Sequence, residues 1–455
     1  MPASPIPVRP GASGVPGTSA AFPGDACPGA LRLHAADDGY LARVRVPGGV
    51  LDVAQARALG DAAGRLGDGA LHLTSRGNVQ LRGLRDGCGG ELAEMLGAAG
   101  LLPSAAHERV RNVVASPMSG LDGLGFVDVR GWLTGLDAAV LASSVTPALS
   151  GRFLFGLDDG RGDVAGLRPD VLLRGRADGS AVLAIGGAEF LLRYEDGARG
   201  AVVAAEVFVE AVRGVSGRRV WRVSELDASG AELSALIAER LSATGIEATS
   251  AGGAGGDEIA TGADANATGL HPGPRSSIAG EAGIHGPSAA VIGSAGPAVR
   301  KLRGSAPDPA ASGTTAGLVC IPPFGSITGA QWGALVDLAA GLPAREIRLT
   351  PWRRIVVPGA TRGSAPAGLI ADPDSPWSRL GACVGRPGCA KSHTDVRADA
   401  ASSTPHPTLP TYWSGCERRC GHPVGPYVDV VARPDGTYAV TTVTTLTTER
   451  AEPRV

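Results

Sequence analysis

Four of the seven cysteines lie close together near the C-terminal end of this 455-residue chain. Cys383 and Cys389 have five residues between them, Cys416 and Cys420 have three, and 26 residues separate the two pairs. Four thiolates can hold a tetrahedral zinc ion or an iron–sulfur cluster. The five-residue spacing is wide for one small ion and suits a cluster, whose irons lie farther apart. The pattern therefore favours a [4Fe–4S] cluster over zinc and over four unrelated buried thiols.

The residues around these cysteines support the same prediction. We expect backbone N–H groups to approach the sulfur atoms, which tunes the reduction potential of a cluster. The flanking residues that leave room for this approach are Gly385, Pro387, Gly388, Gly415 and Gly421. The three remaining cysteines fall outside the spacing and are expected to be ordinary small apolar residues: Cys27, Cys88 and Cys320.

Composition limits what the rest of the chain can be. Hydrophobic residues make up 44% of it and the formal net charge is −2. A chain of this length suggests roughly two to four domains. The charge balance indicates neither nucleic acid nor a membrane as a partner. The first 25 residues lack the apolar core of a signal peptide and no long apolar run is present, so we expect a cytoplasmic protein with reduced thiols.

The chain contains an internal repeat. Residues 47–83 align with residues 323–359 without a gap, with 12 identities in 37 positions. Each copy predicts a helix, over Asp52–Leu66 and Thr328–Leu342, because apolar residues recur at helical spacing. A strand, a tight connection and a second strand follow in each copy, ALHLT to VQLRG in the first and EIRLT to IVVPG in the second.

A larger α/β region follows each copy of the repeat. The first contains the strand-like runs AVLAIGG, FLLRY and AVVAAEVFVEAV, and then a helix in LDASGAELSALIAERLSA. The second carries the four cysteines and ends in YVDVVARPDGTYAVTTVTTL, a hairpin predicted to turn at Pro434–Gly436. Between the two halves, an Ala- and Gly-rich stretch without Phe, Tyr or Trp predicts a linker.

These patterns predict an α+β protein of pseudo-twofold design, in which a half-module and a larger domain occur twice. Crevices between related domains are favoured ligand sites, so we expect one site along their interface. The predicted segments are a disordered tail at 1–25, a half-module at 26–104, a larger domain at 105–247, a linker at 248–316, a second half-module at 317–371 and an iron–sulfur-binding domain at 372–455.

The cysteine spacing, the duplicated half-modules and the segment LHLTSRGNVQL together resemble the sulfite/nitrite reductase superfamily. The resemblance covers nearly the whole chain apart from the tail and the linker. It implies a duplicated architecture in which a ferredoxin-like half-module and a larger α/β domain each occur twice. It also implies that Cys383, Cys389, Cys416 and Cys420 bind a [4Fe–4S] cluster and that the last of them bridges to sirohaem iron.

Four positions carry over from the family's motifs as substrate-binding residues. LTSRGNVQ puts Arg76 where the family has an arginine on its active face, and RVRNVVASP puts Arg111 and Asn112 in its Asn-Arg-Asn-Val segment. SGRFLFGLDDG is similar to its Arg-Lys-Phe-Lys stretch, with Arg152 in place of the first lysine and Leu154 in place of the second. Arginine suits the carboxylate arms of a tetrapyrrole, whereas a site with one cation fewer is poorer for sulfite or nitrite. The alternative for each arginine is a solvated surface.

The segments DACPGALRLHAADDGYLARVRVPGG and SPMSGLD are similar to one branch of the superfamily, the precorrin-3B synthases of aerobic cobalamin biosynthesis. This resemblance implies an O2-dependent monooxygenase that hydroxylates precorrin-3A at C20 and closes a γ-lactone. It also implies a [4Fe–4S] cluster with a non-haem iron, and a tetrapyrrole substrate in the place of sirohaem. No G-x-G-x-x-G follows a predicted strand, so NADH is expected to reduce a separate reductase rather than to bind this chain.

Two alternatives stay open at this point. A sirohaem-containing sulfite or nitrite reductase would show a sirohaem spectrum and consume sulfite. An iron–sulfur electron-transfer protein would hold the cluster without affinity for a corrinoid precursor. The ligands of the mononuclear iron are not assigned, because eight histidines offer many pairings with a carboxylate.

Overall fold

The computed structural model describes residues 29–251 and 317–444, except residues 214, 216–218, 227–229 and 424. The predicted tail and nearly all of the predicted linker lie outside the described residues. None of the helices in the described ranges has the length and apolar character that a membrane span needs.

The described helices α1 to α7 span, in order, Val53–Leu66, Gly89–Ala98, Arg130–Ala142, Gly197–Arg213, Gly230–Ala243, Gly329–Ala340 and Val396–Ala401. The described strands β1 to β19 span, in order, His34–Ala36, Gly39–Val44, Val50–Asp52, Ala70–Leu73, Val79–Leu84, Val113–Ala115, Phe155–Asp158, Val171–Gly175, Ala181–Ile185, Ala188–Leu192, Thr249–Ser250, Leu318–Cys320, Ser326–Thr328, Glu346–Leu349, Ile355–Val357, Leu380–Ala382, Thr411–Ser414, Tyr427–Ala432 and Tyr438–Val443. These strands form four sheets, with the orders β1-β2-β5-β4-β13, β11-β10-β9-β8-β7-β6, β12-β15-β14-β3 and β16-β17-β18-β19.

The two copies of the repeat begin their helices in the same way. Asp52 caps α1 and Thr328 caps α6, each accepting a hydrogen bond from the backbone N–H three residues on. Such a capping box satisfies donors that the first turn of a helix leaves without partners. The two helices pack together, and Trp332 donates its indole N–H to the Ala56 carbonyl at 2.7 Å. The predicted helices of the repeat are confirmed, with ends that move by one or two residues.

The two half-modules interlock by exchanging strands. β13 of the second copy pairs antiparallel with β4 of the first, and β3 of the first pairs antiparallel with β14 of the second. The two registers are related by the repeat, since Thr328 lies opposite Ala70 as Asp52 lies opposite Glu346. One apolar core runs through both copies. The duplication therefore builds a single pseudo-twofold unit.

The first larger domain packs α3, α4 and α5 on its six-stranded sheet. The prediction of a strand for AVVAAEVFVEAV is wrong, because these residues form most of α4. This helix lies between α3, α5 and the sheet, and its polar residues Arg199, Glu206, Glu210 and Arg213 recur at helical spacing. Its many valines favoured a strand although the helical period was present. Strand β11 pairs with β10 and so extends the sheet into the first residues of the stretch predicted as a linker.

The second larger domain is the four-stranded sheet that begins with β16. Strands β16, β17 and β18 run parallel, and β19 closes the sheet antiparallel. The predicted hairpin between β18 and β19 is confirmed, with the Arg433 N–H donating to the Thr437 carbonyl at 2.8 Å. The carboxyl ends of adjacent parallel strands meet at one edge. The residues that follow β16 and β17 are therefore neighbours.

Candidate functional site

The two cysteine pairs leave their sheet at this shared edge. Cys383 directly follows β16, and Cys416 comes two residues after β17. The Cys383 N–H donates to the Trp413 carbonyl at 2.9 Å, which continues the pairing of the two strands. The Gly415 N–H donates to the Sγ atom of Cys383 at 3.2 Å. This contact agrees with the expectation that flanking glycines let backbone donors approach the sulfur atoms.

The four thiols lie within electrostatic range of one another. Burial raises the pKa of Cys420, and the neighbouring thiols of Cys416, Cys383 and Cys389 raise it further. None of the four is fully buried, and Cys420 is exposed. Thiolates that oppose one another's ionisation are stabilised together by a metal between them. These features fit a shared metal site better than four separate core thiols.

The spacing of the sulfur atoms distinguishes the two metal candidates. Within the described ranges, no three cysteine sulfurs lie within 4.8 Å of one another. The ligands of one zinc ion, each at about 2.3 Å from it, would lie only roughly 3.8 Å apart. A four-iron cluster separates its ligands more widely. The residues present therefore fit a [4Fe–4S] cluster, to which Cys383, Cys389, Cys416 and Cys420 would each give one thiolate.

Arginines surround the cysteine site. Burial lowers the pKa of Arg397, and the positive charges of Arg82 and Arg353 lower it further. Arg397 donates through Nε to the Cys383 carbonyl at 3.2 Å. The site therefore has a positive rim that suits an anionic cluster or neighbouring carboxylates. Sequence reasoning missed this rim, because its three arginines come from distant segments of the chain.

Tyr412 links this rim to the second cysteine pair. Its hydroxyl lies beside the Arg353 guanidinium and donates to the Cys420 carbonyl at 2.6 Å. Burial raises the pKa of Tyr412 to about 12. The hydroxyl therefore keeps its proton, and remains a donor, at neutral pH.

The predicted substrate-binding residues meet around the segment 151–153. Arg76 donates through Nη1 to the carbonyl oxygen at the start of this segment, at 3.4 Å. Asn112 donates through Nδ2 to the carbonyl at its end, at 2.9 Å. Arg152, within the segment, is exposed, and its guanidinium carbon lies 5.7 Å from the centre of the Trp221 ring. Arg76 and Arg152 therefore both lie at this segment, with Arg76 partly buried and Arg152 exposed.

Arg111 and Asn112 are buried within the fold. Arg111 donates through Nε and Nη2 to the carboxylate of Asp137, at 2.7 and 2.8 Å, and through Nη1 to the Leu101 carbonyl at 3.2 Å. Asn112 has no exposed surface. These placements give no support to substrate binding by Arg111 and Asn112, because their donors are used inside the protein.

Arg45 and Asn78 complete this network and were missed by sequence reasoning. Arg45 donates to the Asn112 side-chain oxygen at 3.4 Å and to the Gly151 carbonyl at 3.2 Å. Asn78 donates to the same Asn112 oxygen at 3.0 Å and accepts the Val46 N–H at 2.9 Å. One signal was available: the alternation in ARVRV puts its arginines on the face of the strand opposite its valines.

Leu154 also lies inside the protein. It is 3% exposed and packs in a small apolar cluster with Val114 and Val164. The position at which the family has its second lysine therefore offers this site neither a cation nor an exposed surface.

A buried acidic group lies where β7 ends, and it consists of Asp158, Asp159 and Asp163. One carboxylate oxygen of each lies within 4.8 Å of the others, and no other trio of metal-ligating side chains in the described part of the chain is so close. Asp159 pairs with Arg161 at 2.6 Å. Burial, followed by the charge of Asp158, raises the pKa of Asp163 to about 7. The group contains no histidine, so it is not the facial triad expected for a mononuclear iron.

Comparison with known proteins agrees with this architecture. Residues 34–99 match the family model of the nitrite/sulfite reductase ferredoxin-like half domain. The structure of a Mycobacterium tuberculosis NirA protein aligns with a TM-score of 0.57, covering 89% of this chain and 73% of that chain at 19% identity. This likeness concerns the fold, and it confirms the predicted fold class. Residues 34–99 therefore match such a half domain, and the chain has the fold of the NirA structure.

Curated relatives of two kinds match parts of the chain. It is 35% identical over 128 residues to a ferredoxin–nitrite reductase of Synechococcus elongatus, and 35% identical over 94 residues to one of Leptolyngbya laminosa. It is 32% identical over 148 residues to a precorrin-3B synthase of Sinorhizobium sp.. These matches cover 27%, 20% and 32% of this chain, and 25%, 18% and 31% of the relatives. The matched segments are too short to choose between the two activities.

Proposed function

We propose that this protein is an oxidoreductase of the sulfite/nitrite reductase superfamily that works as a precorrin-3B synthase. The reaction is an O2-dependent hydroxylation of precorrin-3A at C20 with formation of a γ-lactone. The observation that carries the cluster is the convergence of four cysteines at the edge of one parallel sheet, where no three of the described cysteine sulfurs lie within 4.8 Å of one another. When bound, the cluster supplies single electrons. A non-haem iron, a separate NADH-dependent reductase and a cytoplasmic location belong to the same proposal.

In this proposal, Arg76 and Arg152 bind carboxylate arms of the tetrapyrrole. Arg76 contacts the segment 151–153 and is partly exposed, whereas Arg152 lies within the segment and is exposed. The contact with Trp221 orients the guanidinium of Arg152. A desolvated charged hydrogen bond contributes about 1.5–3 kcal/mol, and an exposed ion pair contributes about 1 kcal/mol or less. Two cations near one surface suit a large substrate whose carboxylates are spread around its edge.

The alternative is a sirohaem-containing sulfite or nitrite reductase, which the 35% matches to ferredoxin–nitrite reductases favour. A small anion needs several cations close together. Of the positions that the family's motifs supply, Arg111 is engaged with Asp137 and position 154 is a leucine in an apolar cluster. The shortage of cations at these motif positions supports the tetrapyrrole substrate. A non-catalytic electron-transfer protein is the remaining alternative, and it has no need of a carboxylate-binding surface.

Cofactor analysis followed by an isotope experiment tests the proposal. Protein purified without oxygen is assayed for iron, sulfide and sirohaem per chain. It is then incubated with precorrin-3A, a reductant and labelled O2. We expect iron and sulfide without sirohaem, and one labelled oxygen in the hydroxyl group of the product. Stoichiometric sirohaem together with turnover of sulfite would establish the reductase instead.

Neutral substitution of the two surface arginines tests substrate binding separately. Arg76→Gln and Arg152→Gln should each weaken precorrin-3A binding by roughly tenfold or more, with unchanged iron content. Arg193→Gln is the control. It alters an exposed, ion-paired arginine of the first larger domain and should leave binding unchanged. Unaltered affinity in both test variants would assign these arginines to a solvated surface. Fluorescence titration with the tetrapyrrole measures the affinity.

A further inference from the structure

We infer that Asp37, Asp38 and Arg82, three residues of the first half-module, position Cys389 within the cysteine site. The inference rests on the cluster assignment of the proposed function and is independent of its substrate. The residues involved are distant in sequence, since 306 positions separate Arg82 from the residue it contacts in the cysteine loop. Cys389 is therefore placed by a part of the protein other than its own domain.

The contacts lie on both sides of Cys389. Arg82 donates through Nη2 to the carbonyl oxygen of the preceding residue at 2.8 Å. The N–H of the following residue donates to the carboxylate of Asp37. Asp38 fixes Arg82 in turn, accepting from its Nε and Nη2 at 2.7 and 2.8 Å. Arg82 is only 5% exposed, so this bidentate pair is desolvated and geometrically specific.

The close approach depends on Gly388. A Cβ atom at this position would lie 2.9 Å from Oδ2 of Asp38 and 3.1 Å from Nη2 of Arg82. It would also lie 2.7 Å from a methyl group of Val384. Any side chain would therefore push the cysteine loop away from the half-module. The glycine makes this contact possible at hydrogen-bonding distance.

The other cysteines are held mainly within their own domain. Cys383 continues β16, and the Arg419 N–H donates to the Cys416 carbonyl at 3.2 Å. The Cys420 carbonyl accepts from a tyrosine hydroxyl at 2.6 Å. The segment around Cys389, residues 383–395, forms turns without a helix or strand. Cys389 also has a local turn bond, in which the Ser392 N–H donates to its carbonyl at 3.0 Å. The half-module adds contacts to the residues on either side of Cys389.

This arrangement makes one corner of the cysteine site depend on docking of the first half-module. Without the pair between Arg82 and Asp38, three thiolates keep their support and the thiolate of Cys389 loses much of its own. Metal bound at that corner should then exchange faster. A residue that only stabilises the fold would lower the melting temperature without this selective effect on metal release.

The test uses the full-length protein with its cluster, purified without oxygen. Arg82→Gln, Asp38→Asn and Asp37→Ala are compared with the wild type for iron and sulfide per chain, melting temperature and rate of iron release to a ferrous-iron chelator. We expect Arg82→Gln and Asp38→Asn to release iron roughly tenfold faster or more, Asp37→Ala to show a smaller increase, and Arg82→Lys to restore part of the wild-type rate.

The matched control is Arg111→Gln, which breaks another buried bidentate arginine–aspartate pair, in the first larger domain. It should lower the melting temperature without faster iron release. Equal release rates in the control and the test variants would overturn the inference. Asp37 is exposed, so Asp37→Ala remains decisive if Arg82→Gln does not fold, and an unchanged release rate there would also overturn it. Wild-type protein without iron and sulfide would instead refute the cluster assignment itself.

Discussion

The turns Thr74–Asn78 and Thr350–Arg354 occupy equivalent positions in the repeat and share one backbone structure. In each turn the threonine hydroxyl accepts the N–H four residues on at 3.1 Å. The threonine N–H donates to the carbonyl of that same residue, at 3.0 Å in the first turn and 2.9 Å in the second. The fourth residue of each turn is left-handed, with φ of 67° at Gly77 and 55° at Arg353.

The side chains on these two turns differ in chemistry. Arg76 and Asn78 of the first turn contact the first larger domain, at Gly151 and Asn112. Arg353 of the second turn lies beside Tyr412 in the domain that carries the cysteines. The duplicated backbone therefore determines which domain each turn faces. Substitution on that backbone then determines which side chains each turn presents to its neighbouring domain.

Removal of one cysteine should have the largest effect, because it removes a metal ligand from the domain that the second turn faces. Cys383→Ser or Cys416→Ser should lose bound iron and the broad visible absorbance. Cys320→Ser is the control, because burial in the half-module core raises the pKa of this thiol to about 12 and keeps it protonated. Iron, sulfide and the visible spectrum are measured for each variant. Loss of iron from Cys320→Ser as well would break the distinction between core and ligand thiols.

The first larger domain has a buried acid, Asp163, whereas the second has thiols. The stability of the protein should depend on pH because of this acid. Burial, and then the charge of Asp158, raises the pKa of Asp163 to about 7. Between about pH 4 and pH 7 the folded state keeps a proton that the unfolded state has released, so stability falls as pH rises through this window. The loss attributable to Asp163 is on the order of 4 kcal/mol or less.

Asp163→Asn should therefore remove this part of the pH dependence and be more stable than the wild type at about pH 8. Urea unfolding of both proteins at about pH 5 and pH 8 gives the difference. Asp178→Asn, which changes an exposed aspartate of the same domain, should keep the wild-type dependence. A wild-type slope retained in Asp163→Asn would show that Asp163 is ionised in the folded protein at neutral pH.

The next largest effect concerns the first turn alone. Asn78→Ala removes a donor to Asn112 and leaves the buried Val46 N–H without its acceptor. An unsatisfied buried group costs about 1–3 kcal/mol, and we expect a loss of about 2–3 kcal/mol in the free energy of unfolding. Arg57→Ala, which removes an exposed ion pair with Asp337, should cost about 1 kcal/mol or less. Similar losses in urea unfolding would mean that the Asn78 network is not a special feature of the first turn.

Local patterns in the sequence predicted the two copies of the repeat well. Helical periodicity predicted α1 and α6 within one or two residues, because this signal is contained in the segment itself. The spacing of the cysteines predicted a shared site for the same reason. The valine-rich sequence of α4 was misleading, because it favoured a strand although the polar residues recur at helical spacing.

Contacts between distant segments were not predictable. The exchange of β3 and β13 depends on pairing between residues that are 254 to 298 positions apart in the chain. A motif placed Arg111 at a binding position, yet its guanidinium pairs with Asp137 on α3. A family motif fixes the position of the backbone. The partner of a long side chain is decided by the packing of other elements around it.

The smallest expected effects come from the fourth residue of each turn and test the comparison most directly. A residue with a Cβ atom in the left-handed region costs about 1 kcal/mol relative to glycine. Gly77→Ala should therefore lower the free energy of unfolding by about 1 kcal/mol, and its Cβ would also lie 3.2 Å from the Leu349 carbonyl. Urea unfolding measures this loss.

Arg353→Gly should relieve the same backbone strain in the second turn. The gain is offset by the flexibility that glycine adds to the unfolded chain and by loss of the guanidinium beside Tyr412, so the net change should be within about 1 kcal/mol. If Arg353→Gly has unchanged stability but releases iron faster, then Arg353 supports the cysteine site although its left-handed backbone is strained. A loss larger than that of Gly77→Ala would instead make Arg353 a structural residue. The repeat would then have conserved a turn whose two copies are stabilised by different means.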